Sequence, residues 1–429
     1  MGATILDILD EALAPACTGG EPAFDVDAIR RDFPILHERV NGHALAWFDN
    51  GSTTHKPQAV IDRLHHYYRH ENSNIHRAAH ALAARATDAY EGARATVQRF
   101  INAPEAAEII FVRGATEAIN LVARSWGAQN IHAGDEILVS HLEHHANIVP
   151  WQQLAASTGA ILRVIPVDEH GQLKLDDYTQ LLGARTKLVA VTQVSNVLGT
   201  VTPVAHIARL AHRHGAKVLV DGAQAVSHLR VDVQALDADF YVFSGHKVFG
   251  PTGVGVLWGK RALLDAMPPV QFGGNMIADV TFEATAFQGI PNKFEAGTGN
   301  IADAVGLAAA LDYVSAVGIE RIARYEHGLL AYASARLREI GGVRLVGTAA
   351  HKASVVSFTV DGCTTREVGY ALNEEGIAVR TGHHCAQPIL RRFGLETTVR
   401  ASLAFYNTVD EIDRLAGAVT RLAGRRQAA

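Results

Sequence analysis

A chain of 429 residues, 48% of them apolar, can bury a large core and build two or three domains. Its 39 basic and 44 acidic side chains leave a net charge of −5 with no long basic run, which argues against nucleic acid or an anionic membrane as a partner. Three cysteines (Cys17, Cys363, Cys385) exclude a disulfide scaffold, and no apolar stretch reaches the roughly 18–20 residues of a membrane span. With no Lys or Arg in residues 1–29 to form a leader, the expectation is a cytoplasmic protein.

Residues 1–22 read as an extension. Ile5, Ile8, Leu9 and Leu13 recur at helical spacing until Ala-Pro-Ala-Cys-Thr-Gly-Gly breaks the pattern. A short docked helix or a frayed terminus is expected there, with a docking segment for a partner as the alternative. Further on, apolar β-branched runs at 108–112, 136–140, 161–167, 187–192, 217–221 and 239–243 alternate with helical patterns such as 204–214. Runs without polar alternation predict strands covered on both faces, hence an α/β fold with a doubly wound, mostly parallel sheet. After residue 300 two long helical patterns (301–317 and 319–340) lead to a strand at 354–360 and a smaller α+β region. The expected division is a large domain over 51–299 and a small one formed by 23–50 with 300–429.

In such sheets ligands sit at the carboxyl ends of the strands. Those ends carry Arg113-Gly-Ala115-Thr116-Glu117, Glu143-His144-His145-Ala-Asn147, Ser195-Asn196, Asp221-Gly-Ala-Gln224 and Ser244-Gly-His246-Lys247. Singly, each polar group has an ordinary explanation as a cap, a turn or a surface residue. Together they suit a phosphate-bearing aromatic electrophile. A Gly-Ala-Thr helix start offers amides and a hydroxyl to phosphate. A strand-end Asp can pair with a protonated pyridine nitrogen, and a desolvated lysine can form a Schiff base. The cofactor these groups suit is pyridoxal 5′-phosphate.

Asp221-Gly-Ala-Gln224 followed by Ser244-Gly-His246-Lys247 resembles the signature of class V pyridoxal-phosphate enzymes with the aspartate-aminotransferase fold. Glu143-His-His-Ala-Asn-Ile-Val-Pro-Trp151, Val194-Ser-Asn-Val-Leu-Gly199 and Arg380-Thr-Gly-His-His-Cys385-Ala386 narrow the resemblance to the group II, SufS-type cysteine desulfurases, over roughly residues 23–420. The resemblance implies fold type I, with a large domain and a smaller α+β domain. It also implies a role for each matching residue. Lys247 would hold the cofactor, Asp221 its pyridine nitrogen and Gln224 its ring hydroxyl. His144 would stack on the ring and move protons. Thr116, Ser244 and His246 would contact the phosphate, as would Ala115, which stands where many relatives carry a second threonine. Thr298 would reach the phosphate of the other subunit, implying a homodimer. Asn196 and Arg400 would bind substrate, with Arg380 and His76 beside them. The run Asp49-Asn-Gly-Ser-Thr-Thr-His-Lys-Pro departs from the family's more familiar Ala-containing sequence.

Cys385 is the discriminating residue. His383, His384 and Cys385 are contiguous and lack a second ligand pair at metal-site spacing, so no metal is expected. Their polar, cationic setting favours a thiolate. The implied reaction converts L-cysteine to L-alanine, leaving a persulfide on Cys385 for a sulfur-acceptor protein in iron–sulfur cluster assembly. The alternatives are a selenocysteine lyase acting on L-selenocysteine, and a desulfurase carried as cargo of an encapsulin shell through residues 1–22.

Overall fold

The computed structural model describes residues 24–76 and 79–427. The expected extension, with Cys17, lies outside these. Seven strands, β1 (Ile109–Val112), β2 (Glu136–Ser140), β3 (Ile161–Ile165), β4 (Thr186–Thr192), β5 (Lys217–Asp221), β6 (Phe240–Ser244) and β7 (Gly255–Gly259), form one sheet in the order β1-β7-β6-β5-β4-β2-β3. β7 runs antiparallel to both its neighbours, and every other pairing is parallel.

Alternate residues of the central strands enter two separate cores, which is why these strands read as continuous apolar runs. Val189, Val218, Val220, Tyr241 and Phe243 pack on one face with α1 (Ala81–Phe100), α4 (Val204–Arg213) and α5 (Ile301–Val317). Leu188, Ala190, Leu219, Phe240 and Val242 pack on the other with α2 (Ala115–Val122) and α3 (Val149–Thr158). Strand β7 is absent from the sequence-based expectation, and the six expected strands agree with the observed ones to within two residues at each end.

α6 (Ile319–Arg338) turns away from α5 by 75° at Gly318. It packs with α7 (Val409–Gln427) on a second, antiparallel sheet of β8 (Val343–Val346), β9 (Val355–Val360), β10 (Arg380–Gly382) and β11 (Thr398–Ser402), ordered β8-β9-β11-β10. Ala46–Trp47 pairs in parallel with Ile377–Ala378, and Asp49 bridges to Ser402, so the segment before residue 50 is stitched to this sheet. Among the described residues no single helix is long and apolar enough to cross a membrane.

Candidate active site

Because six strands of the large sheet point the same way, their following loops meet along one edge. A cavity of about 230 Å³ opens there. Ala115 and Thr116 enter it from the start of α2, His144 from the loop after β2, and Asn196 from the loop after β4. Asp221 and Gln224 follow β5, and Ser244, His246 and Lys247 follow β6. The small sheet contributes Arg380, Cys385 and Arg400.

One part of this wall suits a phosphate. The N-cap of α2 is Gly114, with no side-chain cap; the Ala115 amide donates to Ser244 Oγ at 2.9 Å. A Cβ on Gly114 would come within 3.1 Å of that hydroxyl, close enough that the hydroxyl would have to shift. Burial, aided by Lys247 and Lys56, lowers the His246 imidazole to about 4 and keeps it neutral.

Asp221 is buried, and its Oδ1 accepts the Ala223 amide at 2.9 Å. Burial raises its pKa while Lys247 opposes the rise. Conversely, burial lowers the Lys247 amine below the ordinary lysine range, with Asp221 pulling it back and Arg400 pushing it further down. A lysine so placed has access to its neutral, nucleophilic form. His144 Nδ1 accepts the Ala146 amide at 3.0 Å, which leaves the proton on Nε2. Burial first, and Lys247 next, hold this imidazole down to about 3, so it stays neutral.

Arg400, buried on β11, gives Nη1 to the Asn196 carbonyl at 2.9 Å and Nη2 to Asp49 Oδ1 at 3.1 Å. Asn196 Nδ2 donates to the His384 carbonyl at 2.7 Å. Arg400 Nε, Asn196 Oδ1 and His384 Nδ1 are buried without a hydrogen-bond partner in the protein. The cavity wall carries the side chains of Arg380, Arg400 and Lys247 together with that of Asp221, groups of both signs, as a small zwitterionic ligand requires. With an uncapped helix start, a buried carboxylate and a desolvated lysine in the same cavity, the donor set fits pyridoxal phosphate together with an amino acid.

Cys385 is half-buried in a strained turn. His384 and Cys385 both adopt left-handed backbone, with φ of 52° and 55°. The turn is pinned to the His144 loop: the His145 amide donates to the Cys385 carbonyl at 2.7 Å and the Gln387 amide to His145 Nε2 at 3.3 Å. The Cys385 amide donates to His383 Nδ1 at 3.0 Å.

Two expected residues lie elsewhere. Thr298 lines a neighbouring cavity of about 1000 Å³, which shares Thr116, Ser244 and His246 with the first. His76 is not part of the Lys247 cavity wall; its Nε2 lies 3.0 Å from Glu91 Oε1. Sequence reasoning also missed four residues. Gly51, Ser52 and His384 line the cavity, and Asp49 holds Arg400. His384 had a signal, its place beside Cys385. Ser52 had only its place in the run after Asp49 that departs from the family's Ala-containing sequence.

The class-V aminotransferase family matches residues 46–415. The chain is 66% identical over 423 residues to a cysteine desulfurase of Synechococcus elongatus, covering 98% of this chain and 68% of that one. It is 52% identical over 400 residues to the cysteine desulfurase of Dickeya dadantii, covering 93% and 97%. The crystal structure of the cysteine desulfurase CsdA from Escherichia coli superposes with a TM-score of 0.88 at 38% identity, covering 94% of this chain and all of that one.

Proposed function

The chain belongs to the class-V aminotransferase family, in its cysteine desulfurase branch, and acts on L-cysteine with pyridoxal 5′-phosphate; on that premise we propose how its residues divide the work. Lys247 holds the cofactor, Asp221 faces its pyridine nitrogen, Gln224 its ring hydroxyl, and Ala115, Thr116, Ser244 and His246 its phosphate. When bound, the cofactor supplies an electron sink for the pair left on the substrate's Cα. Arg400 and Asn196 orient the substrate through its carboxylate, the guanidinium fork matching two oxygens. Lys247, with its amine lowered by burial, takes the proton from Cα, and His144 passes protons through Nε2.

The Cys385 thiolate then attacks the sulfur of L-cysteine. A sulfur–sulfur bond forms and the substrate's Cβ–S bond breaks. Its electron pair stays with Cβ, which takes up a proton and leaves as the methyl of L-alanine. In sum, one thiol and one L-cysteine give one protein persulfide and one L-alanine. The observation that supports this reading is the meeting of Lys247, Asp221, His144, Arg400 and Cys385 in one cavity. Cys385→Ala should keep the cofactor's absorption and lose alanine release from L-cysteine; desulfuration at the wild-type rate would remove Cys385 from the mechanism.

Three further assignments belong to this proposal. The Arg380-to-Ala386 motif supports the group II subtype. The cavity holding Thr298 beside Thr116, Ser244 and His246 supports a homodimer, in which a second copy's Thr298 completes the phosphate site. A half-buried Cys385 supports delivery of sulfur to an acceptor protein in the cytoplasm, where the thiol stays reduced. The relatives, named as cysteine desulfurases, lend no support to the selenocysteine-lyase or shell-cargo alternatives.

A further inference from the structure

Two arginines stand directly opposite each other in the small sheet, Arg380 on β10 and Arg400 on β11. Like charges in that register repel. They are reconciled by residues more than 300 positions away in sequence. Ser52 Oγ accepts from Arg400 Nη2 at 2.8 Å and from Arg380 Nη1 at 3.0 Å, and donates to Asp49 Oδ1 at 2.6 Å. Asp49 itself lies 3.1 Å from Arg400 and 3.8 Å from Arg380. One hydroxyl therefore fixes two guanidinium groups at a common point, using its single proton and both lone pairs. Being fully engaged, it has nothing left to offer a ligand. Two cations and one anion leave the cluster with one positive charge, the complement of one carboxylate. Arg380 stays 46% exposed and gives only Nη1 to the cluster, and Arg400 Nη1 keeps a second N–H beyond the one given to the Asn196 carbonyl, so both guanidiniums keep donors free.

We propose that Ser52 is a positioning residue that joins Arg380 and Arg400, with Asp49 as counter-ion, into a preset two-arginine clamp specific for the single carboxylate of an α-amino acid. The proposal rests on the cysteine-desulfurating reading of the same cavity. It assigns to Ser52 the alignment of the substrate's carboxylate and no part in bond making. Without the hydroxyl, Arg380 loses its only side-chain hydrogen bond among the described residues and keeps only the 3.8 Å approach to Asp49, so it is no longer aimed with Arg400 at the carboxylate.

The test compares wild-type and Ser52→Ala holoenzyme, titrated with L-alanine and with ethylamine, its analogue without the carboxylate, following the absorption of the bound cofactor. Ser52→Ala should bind L-alanine about tenfold more weakly, the loss of one hydrogen bond to a charged group. Ethylamine binding should be unchanged. KM for L-cysteine should rise by the same factor while kcat stays within about twofold. Ser52→Thr, which keeps the hydroxyl, should restore L-alanine binding. Unchanged L-alanine binding in Ser52→Ala, or an equal loss for ethylamine, overturns the proposal. Failure of the underlying reading would appear separately, as wild-type enzyme that releases no alanine from L-cysteine.

Discussion

The protonation states of a few side chains decide what the cavity can do. His144 and His384 are both held down to about 3, chiefly by burial, so both are neutral over the whole physiological range. A neutral His144 can donate from Nε2 without placing a cation beside Lys247. Lys247 is pushed below the ordinary lysine range by burial and by Arg400, and Asp221 limits the shift. Replacing it should therefore remove both the anchor and the base. Lys247→Ala should fail to retain the cofactor's visible absorption through desalting, whereas the wild-type chain retains it. A variant that kept the wild-type absorption would place the anchoring amine elsewhere.

At the scale of elements, the loops are placed by buried polar ties that the sequence pattern only partly reveals. Glu143, fully buried behind His144, accepts Asn147 Nδ2 at 2.6 Å, the Thr192 amide at 2.9 Å and the Ser140 hydroxyl. Trp151 Nε1, which can only donate, meets Asn147 Oδ1 at 2.9 Å and so fixes the amide's orientation. These bonds join the ends of β2 and β4 and set where His144 and Asn196 emerge. Glu143→Ala would leave two buried N–H donors unpaired, and should cost about 2–4 kcal/mol in denaturant unfolding. A loss below about 0.5 kcal/mol, typical of surface changes, would contradict this account.

The same scale explains what the sequence concealed. β7 was missed because its ends are glycines, which read as loop. They are required sterically: a Cβ on Gly255 would lie 2.5 Å from Gly114 Cα and 2.6 Å from the Phe243 carbonyl. The strand ends, by contrast, were legible, because β-branched runs stop at Asp221 and Ser244 and the chemistry follows at once. Ser52 was not legible. Its partners Arg380 and Arg400 come from another sheet, and no local pattern announces a contact made only by the tertiary fold. His76 was placed by motif alone, and its segment instead reaches Glu91 on α1.

For the whole molecule, the active cavity exists only because two separately cored sheets face each other. The large, mostly parallel sheet supplies Asp221, His144 and Lys247, and the antiparallel one Arg380, Cys385 and Arg400. Stability should follow pH accordingly. His144 and His384 titrate near the ordinary 6.5 when unfolded and near 3 when folded. Between these values the unfolded chain binds more protons, so their contribution is complete above about 6.5 and is lost as pH falls toward 3. Glu143, pushed up to about 8 by burial, works in the opposite direction, but His55 and His246, lowered to about 4, add to the two histidines. The thermal midpoint should therefore drop between pH 7 and pH 5, and His384→Gln should flatten that slope. A midpoint that rises on acidification would oppose the assigned protonation states.

In the proposed reaction Cys385 receives the sulfur. Holoenzyme given L-cysteine without reductant should be read by mass spectrometry of its peptides, with released L-alanine counted in the same sample. One extra sulfur is expected on the Cys385 peptide, matched by one L-alanine per active site, and neither in Cys385→Ala. Extra sulfur on Cys363 instead, or alanine from Cys385→Ala at the wild-type rate, would contradict it.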